Sequence, residues 1–169
     1  VATAQDISFF HLNTSNGLSE NLVSSVARDK NGILWIGTAE GLNSYDGYTV
    51  KKNYKEDEPA MVTNNIAGIL ADDQNRILIR NFSNKIILVD ENRKFSTIPV
   101  LENGKEVPAY MLCKTKSLGV LVFSGNKIFS LRKEGPLAFE KIKWQEDTAL
   151  FRSSAQSLVS GSDTLLLVG

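Results

Sequence analysis

A chain of 169 residues that is 42% apolar and 22% charged is long enough to bury a core of its own. Its 19 basic residues balance its 19 acidic residues, so the sequence predicts no basic surface for nucleic acid. The apolar runs, of about five residues at most, are too short to span a membrane, and we expect this segment to contact neither nucleic acid nor a membrane.

The chain offers few side chains for catalysis or metal binding. His11, its single histidine, lies in a strand-like stretch at residues 7–12 without a cluster of ligating neighbours, so we expect a structural or surface role. Cys113 has no partner for a disulfide within the chain, and a thiol in an apolar stretch is usually a small buried hydrophobic side chain. Since no recognised catalytic motif occurs, we expect no metal, no cofactor and no catalytic residue in this segment.

The most informative stretch is residues 32–47, GILWIGTAEGLNSYDG, in which two short apolar runs are separated by a glycine-containing turn. Glycine, asparagine and aspartate at the links supply the positive φ angles that tight turns require. Together with its neighbours the stretch predicts four short antiparallel strands, at residues 22–28, 33–38, 42–45 and 48–54. Four such strands make one blade of a β-propeller.

The pattern recurs with a period of about 44 residues. Asp29 is followed by Asp73, and Asp46 by Asp90, at that spacing. The sequence therefore predicts an all-β protein, a β-propeller of four-stranded antiparallel blades, present as about three and a half blades. The expected blades are residues 21–54, 65–98, 107–142 and, for the first two strands of the fourth, 153–169.

Three and a half blades do not close a ring, because an open propeller leaves long sheet edges uncovered. We therefore expect the whole stretch 1–169 to be the N-terminal part of a longer propeller. Residues 7–12 are placed to add a strand to the last blade of that ring. Residues 55–64 and 102–106, the latter with a turn at Gly104, are expected to be connections between blades.

Blade two departs from the pattern of blade one. At an offset of 44 residues, Arg76 takes the position of Gly32, and Asn81 that of Gly37. A turn that loses its glycine loses a residue that favours the turn conformation, and two interpretations of this change remain open. The substitutions either form a ligand patch or reflect drift in a tolerant repeat.

If they form a patch, its chemistry suits a sugar. Arg80 and Asn81 would bind hydroxyl or acid groups, and Phe82 would stack on a sugar face. Two residues of the predicted channel-face connections, Asn64 and Trp144, complete the set of candidate ligand-binding residues. The alternatives are that Arg80 lies on a solvated surface and that Trp144 packs against a neighbouring blade.

Blade one carries a recognisable motif, GLSENLV at residues 17–23, DKNGILWIGT at 29–38 and GLNSYDG at 41–47. Its structural positions are Asn21, Asp29, Gly32, Trp35, Gly37, Gly41, Tyr45, Asp46 and Gly47. We expect Trp35 to fill the space between adjacent blades and Asp29 to hold a hairpin turn rather than a calcium ion. The motif closely resembles the two-component regulator propeller repeat.

The resemblance implies the periplasmic sensor region of a hybrid two-component histidine kinase of the Bacteroides type. Such a sensor would bind a glycan-derived oligosaccharide, work as a homodimer and signal to a downstream kinase that controls genes for polysaccharide use. This segment would then not be an enzyme itself. A propeller that serves as a protein-interaction platform, or a propeller glycosidase or lyase, are the alternatives.

Overall fold

Strands make up nearly all the regular structure in the residues that the computed structural model describes, which are 10–116, 118–132, 135–142, 155–160 and 163–168. The first sheet holds β1 (Val23–Arg28), β2 (Leu34–Thr38), β3 (Gly41–Tyr45) and β4 (Val50–Asn53). The second holds β5 (Ile66–Ala71), β6 (Ile77–Asn81), β7 (Ile86–Val89) and β8 (Phe95–Ile98). In both sheets consecutive strands pair antiparallel. Two single turns of 3-10 helix, Thr14–Asn16 and Pro59–Met61, precede these sheets.

The third sheet has six strands. It contains β9 (Val100–Glu102), β10 (Lys105–Glu106), β11 (Met111–Thr115), β12 (Gly119–Ser124), β13 (Lys127–Leu131) and β14 (Phe139–Lys141). The antiparallel strands β11 to β14 form the blade, and β9 pairs parallel to its last strand. A separate antiparallel pair follows, formed by β15 (Ala155–Ser160) and β16 (Asp163–Val168).

The sheets follow one another as propeller blades. β1 contacts β5, and β5 contacts β11, so the first strand of each of these three blades lies beside the first strand of the next. In a β-propeller these first strands are the innermost ones and surround a central channel. The predicted fold, an incomplete propeller of four-stranded blades, is confirmed. The blade limits given above stay predictions. The first half of the predicted strand at 7–12 lies outside the described part, and residues 10–12 are not in a strand.

Apolar side chains fill the spaces between blades. Between blades one and two they are Trp35, Leu42, Met61, Ile66, Ile77, Ile79, Ile87 and Val89. Between blades two and three they include Leu78, Ile86, Leu88, Ile98, Val120, Val122, Phe129 and Phe139. Because strand residues alternate in direction, each sheet contributes one set of side chains to each neighbouring core. The predicted position of Trp35 between adjacent blades is confirmed.

An aspartate holds the turn between the first two strands of blades one and two. Asp29 Oδ1 accepts the backbone N–H groups of Asn31 and Ile33, both at 2.9 Å. Asp72 Oδ1 does the same for Gln74 and Arg76, at 2.8 and 2.9 Å. The counterpart of Asp29 is thus Asp72 and not the predicted Asp73. Over the first two strands of each blade, the spacing between blades one and two is therefore 43 residues.

The turn of blade two also keeps the backbone conformation of blade one. Gly32 has φ 87° and its counterpart at the corrected offset, Asn75, has φ 63°. Asparagine adopts this left-handed conformation more readily than most residues, since its side chain bonds locally. The assignment of Arg76 to the position of Gly32 was therefore wrong, because the turn has exchanged its glycine for an asparagine.

The expected connection at residues 102–106 is a β-hairpin that belongs to blade three. Gly104 lies at its turn with φ 77°, between β9 and β10. Glu102 accepts bonds from Lys127 at 2.7 Å and from Lys141 at 3.5 Å. Phe139 N–H also donates to Pro99 O at 2.9 Å, just before β9 begins. The chain that leaves blade two is in this way attached to the outer edge of blade three.

Cys113 lies in β11 and packs against the buried side chains of Leu121 and Phe123. Burial raises the pKa of its thiol to about 11, from an ordinary value of 9.0. The thiolate is the reactive form, so at pH 8 we expect alkylation by iodoacetamide to be roughly a hundredfold slower in the folded protein than in urea. Equal rates with and without urea would contradict this burial.

Candidate functional site

A cleft of about 280 Å³ opens between blades two and three on the side of the innermost strands. Its lining includes Ser25 from β1, Gly68 and Ile69 from β5, Arg80 from β6, and Tyr110 and Met111 at the start of β11. Three innermost strands contribute to it, so the cleft faces the centre of the propeller. Such a position suits a ligand site, because the blades around it form a rigid frame.

The junction between blades one and two, by contrast, is closed. A Cβ atom added to Gly37 would lie 2.5 Å from Ile66 Cγ2, so no side chain fits between the blades there. Ser24, bulged out of β1, donates its hydroxyl to Ile66 O at 2.6 Å. The first two blades therefore leave no room for a ligand where Gly37 meets Ile66.

Arg80 occupies in blade two the place that Gly37 has in blade one. In the pairing register Gly37 lies opposite Ser25, and Arg80 lies opposite Gly68, each beside a bulge of the first strand. The sequence comparison placed Asn81 there instead, because the turn after β6 has one residue more than the turn after β2. An arginine at the position where the preceding junction tolerates only glycine shows that the second junction is open.

The Arg80 guanidinium is half-buried and has no carboxylate partner within the described residues. Burial lowers the pKa of Arg80 below its usual value. An arginine nevertheless stays charged at neutral pH. The cleft thus presents an uncompensated positive charge beside the polar Ser25 hydroxyl.

Two exposed aromatic rings lie at the end of blades two and three where β5 and β11 begin. The exposed fraction is 62% for Phe82 and 53% for Tyr110. Phe82 N–H donates to Asn65 O at 3.0 Å, and Ala109 N–H donates to Asn84 O at 2.8 Å, which fixes both segments against each other. Exposed rings beside a polar cleft are typical of a surface that binds sugars.

Asn65 adds a second polar feature at this end. Its side-chain Oδ1 is buried without a hydrogen-bond partner in the described part of the chain. Neither Asn65 nor Tyr110 was among the predicted site residues. The sequence PAYMLC at 108–113 held a signal for Tyr110, since an aromatic residue directly before an innermost strand lies at the channel mouth.

The other predicted site residues have structural roles or lie outside the described part. Asn81 is fully buried, accepts Lys85 N–H at 3.0 Å and donates to Met61 O at 2.8 Å. Asn64 accepts Lys55 N–H at 2.7 Å and so closes the loop before β5. Trp144 lies outside the described residues. Of the predicted residues, Arg80 thus lines the cleft, whereas Phe82 is exposed on the turn after β6 and is not among the lining residues. The side chains of Asn81 and Asn64 hold turns.

No three acidic, cysteine or histidine side chains in the residues that the structure describes lie close enough together to bind a metal ion. No helix there has the length and apolarity needed to cross a membrane.

Comparison with known proteins gives a family model that matches one segment and a relative that is similar over a short stretch. The family model of the two component regulator propeller matches residues 17–40. The histidine kinase P4 of Formosa agariphila is 44% identical over 48 residues, which are 27% of this chain and 4% of that protein. The chain thus spans a small fraction of the length of this relative.

Solved structures with the same fold include the extracellular domain of a two component system and a lyase. The extracellular domain of the hybrid two component system BT3049 from B. thetaiotaomicron has a TM-score of 0.60 at 20% identity, over 79% of this chain and 17% of that one. A streptogramin B lyase has a TM-score of 0.53 at 14% identity, over 76% of this chain and 43% of that one. At identities this low the TM-scores show a common fold alone, and activity has to be argued from the site.

Proposed function

We propose that this chain, in which residues 17–40 are a two-component regulator propeller repeat, is part of the sensor region of a hybrid two-component system. The sensor lies in the periplasm and binds an oligosaccharide released from a glycan. Binding is passed to a histidine kinase, which controls transcription of genes for polysaccharide use. The 44% identity to a stretch of a histidine kinase supports the link to a kinase.

The open cleft at Arg80 carries the part of the proposal that concerns the ligand. Half of such a site is a set of donors for hydroxyl groups, supplied here by the Arg80 guanidinium and the Ser25 hydroxyl. The other half is a flat apolar surface for the C–H face of a sugar ring, supplied by Tyr110 and Phe82. A cleft of about 280 Å³ has room for one or two sugar rings.

Signalling needs more than binding. A ligand shifts an equilibrium only when it binds one arrangement of the sensor more tightly than another. The cleft lies between two blades, so a ligand in it contacts both β5 and β11 and favours one spacing of these strands. In a homodimer of sensors, this preference is transmitted through the arrangement of the two protomers.

Titration calorimetry with a panel of plant and host oligosaccharides tests the proposal, with the intact natural protein that carries this chain. For the sugar that binds, Tyr110→Ala is expected to weaken affinity roughly two- to thirteenfold, since loss of a ring contact removes about 0.5–1.5 kcal/mol. Tyr48→Ala is the matched control, because Tyr48 is 93% exposed and lies on a turn of blade one, outside the cleft. Its affinity should equal that of the unaltered protein.

The alternatives give different results in the same experiment. If no sugar binds and one dominant protein partner is recovered from the cell envelope, the propeller is an interaction platform. If purified protein degrades a polysaccharide, it is a glycosidase or lyase. Equal sugar affinities for Tyr110→Ala and Tyr48→Ala would exclude the cleft as the binding site.

A further inference from the structure

We propose that the ligand of the cleft between blades two and three carries an acidic group, a carboxylate or a sulfate, which binds to Arg80. The inference rests on the proposed function, since it specifies the class of oligosaccharide that the same site accepts. The main support is that Arg80 has no carboxylate partner among the described residues, unlike the other arginines there that are shielded from water.

Each of those other arginines has its own carboxylate. The Arg76 guanidinium bonds to Asp72 Oδ2 at 2.6 Å, and its side chain is 18% exposed. Arg132, with a side chain 27% exposed, bonds to Glu140. Arg80 is likewise shielded from water but is paired with no acid among the described residues. Shielding a charge without a partner is unfavourable, and an anion that enters the cleft removes this penalty.

The lining of the cleft also favours an anion over a cation. None of its described lining residues is acidic, and Arg80 is the charged one among them. Ser25 Oγ accepts the Ile69 N–H at 2.9 Å, which leaves its own O–H to donate to a ligand. An arginine and a hydroxyl are both donors that suit carboxylate or sulfate oxygens.

There is room for such a group directly across from Arg80. Its register partner on β5 is Gly68, and a Cβ atom added to Gly68 would meet no atom within 4 Å. At the closed junction the equivalent pair is Gly37 and Ser25, with Ile66 filling the space. Blade two thus has Arg80 where blade one has Gly37, and Gly68 where blade one has Ser25. The second junction is therefore open, and a cation lines it.

Matched pairs of acidic and neutral disaccharides test the inference, again with the intact natural protein. The carboxylate pair is digalacturonic acid and galactobiose, and the sulfate pair is neocarrabiose sulfate and neocarrabiose. We expect the acidic member of at least one pair to bind at least tenfold more tightly than its neutral member. The pair that shows the difference identifies which acidic group the site takes.

Arg80→Gln should abolish this preference, so that acidic and neutral members bind equally. Arg93→Gln is the matched control, because Arg93 is exposed and lies over the Trp35 ring, 5.6 Å from its centroid, away from the cleft. It should leave the preference intact. Added sodium chloride should weaken binding of the acidic sugar and not of the neutral one, which tests the same point without a substitution.

The outcomes separate the inference from the function on which it rests. If neutral sugars bind as tightly as acidic ones and Arg80→Gln changes both equally, the acidic ligand is excluded and the sensor proposal stands. If no sugar in the wider panel binds, both are overturned.

Discussion

Gly37→Val is expected to lower the free energy of unfolding by about 3 kcal/mol, because it forces a side chain into the closed junction between blades one and two. The new Cβ would lie 2.5 Å from Ile66 Cγ2, 3.0 Å from Ile66 Cβ and 3.2 Å from Ile69 Cδ1. Ile66 is fully buried, and as a β-branched residue it has few alternative rotamers. The blades would have to separate, which also strains the bond from Ser24 to Ile66 O.

Gly68→Ala is the control for this prediction. Gly68 lies in an innermost strand too, but an added Cβ there meets nothing within 4 Å. Its alanine variant should unfold at the same urea concentration as the unaltered protein or slightly above it, because alanine restricts the unfolded chain. Equal midpoints for Gly37→Val and Gly68→Ala would show that the junction is not closed.

Asp72→Ala is expected to lower the free energy of unfolding by about 3 to 4 kcal/mol. Asp72 is 7% exposed and accepts three bonds, from Gln74 N–H, from Arg76 N–H and from the Arg76 guanidinium. Its removal leaves a shielded cation and two backbone donors without acceptors. Such a loss is large because the groups left behind cannot all reach water.

Asp46→Ala tests whether burial is the cause. Asp46 holds the turn after β3 in a similar way, accepting Tyr48 N–H at 2.8 Å and Thr49 N–H at 2.7 Å. All three residues are exposed, so water can replace the lost acceptor. Urea unfolding at pH 7 should show a much smaller loss than for Asp72→Ala, and comparable losses would refute the argument.

The sequence was sufficient for the fold because the devices that build a blade are local. Asp29 forms its turn with residues two and four positions later, and glycine or asparagine supplies the positive φ beside it. These requirements repeat in blade two, where Asp72 and Asn75 meet them, so they leave a periodic signal. The packing of Trp35 between blades followed from the same period, since its strand has one face for each neighbour.

The candidate site was harder to predict because it depends on a difference of one residue in the length of a turn. Two residues separate the paired Thr38 and Gly41 after β2. Three residues, with Asn84 at φ 58°, separate Asn81 from Lys85, whose carbonyl oxygen accepts the Asn81 N–H at 3.2 Å. A fixed offset of 44 therefore matched Gly37 with Asn81 and missed its true counterpart, Arg80. Turn length varies without changing the strands on either side, so the sequence period alone does not determine the register within a blade.

The β9–β10 hairpin was not predictable from local pattern. Val100 to Glu102 follow β8 directly, and their parallel partner in β14 begins at Phe139. Parallel pairing between segments so distant in sequence leaves no periodic signature. The charged residues Lys105 and Glu106 are consistent with a short, exposed outermost strand.

This hairpin has a consequence for the order of events during synthesis. β9 leaves the ribosome before β11 to β14, so it waits without its partner until the last strand of blade three has been made. Blade two can close on itself during that interval, whereas blade three is complete only once both ends of its sequence have emerged. Degradation of ribosome-bound chains that end just before Phe139 should therefore begin within the third blade and spare the second.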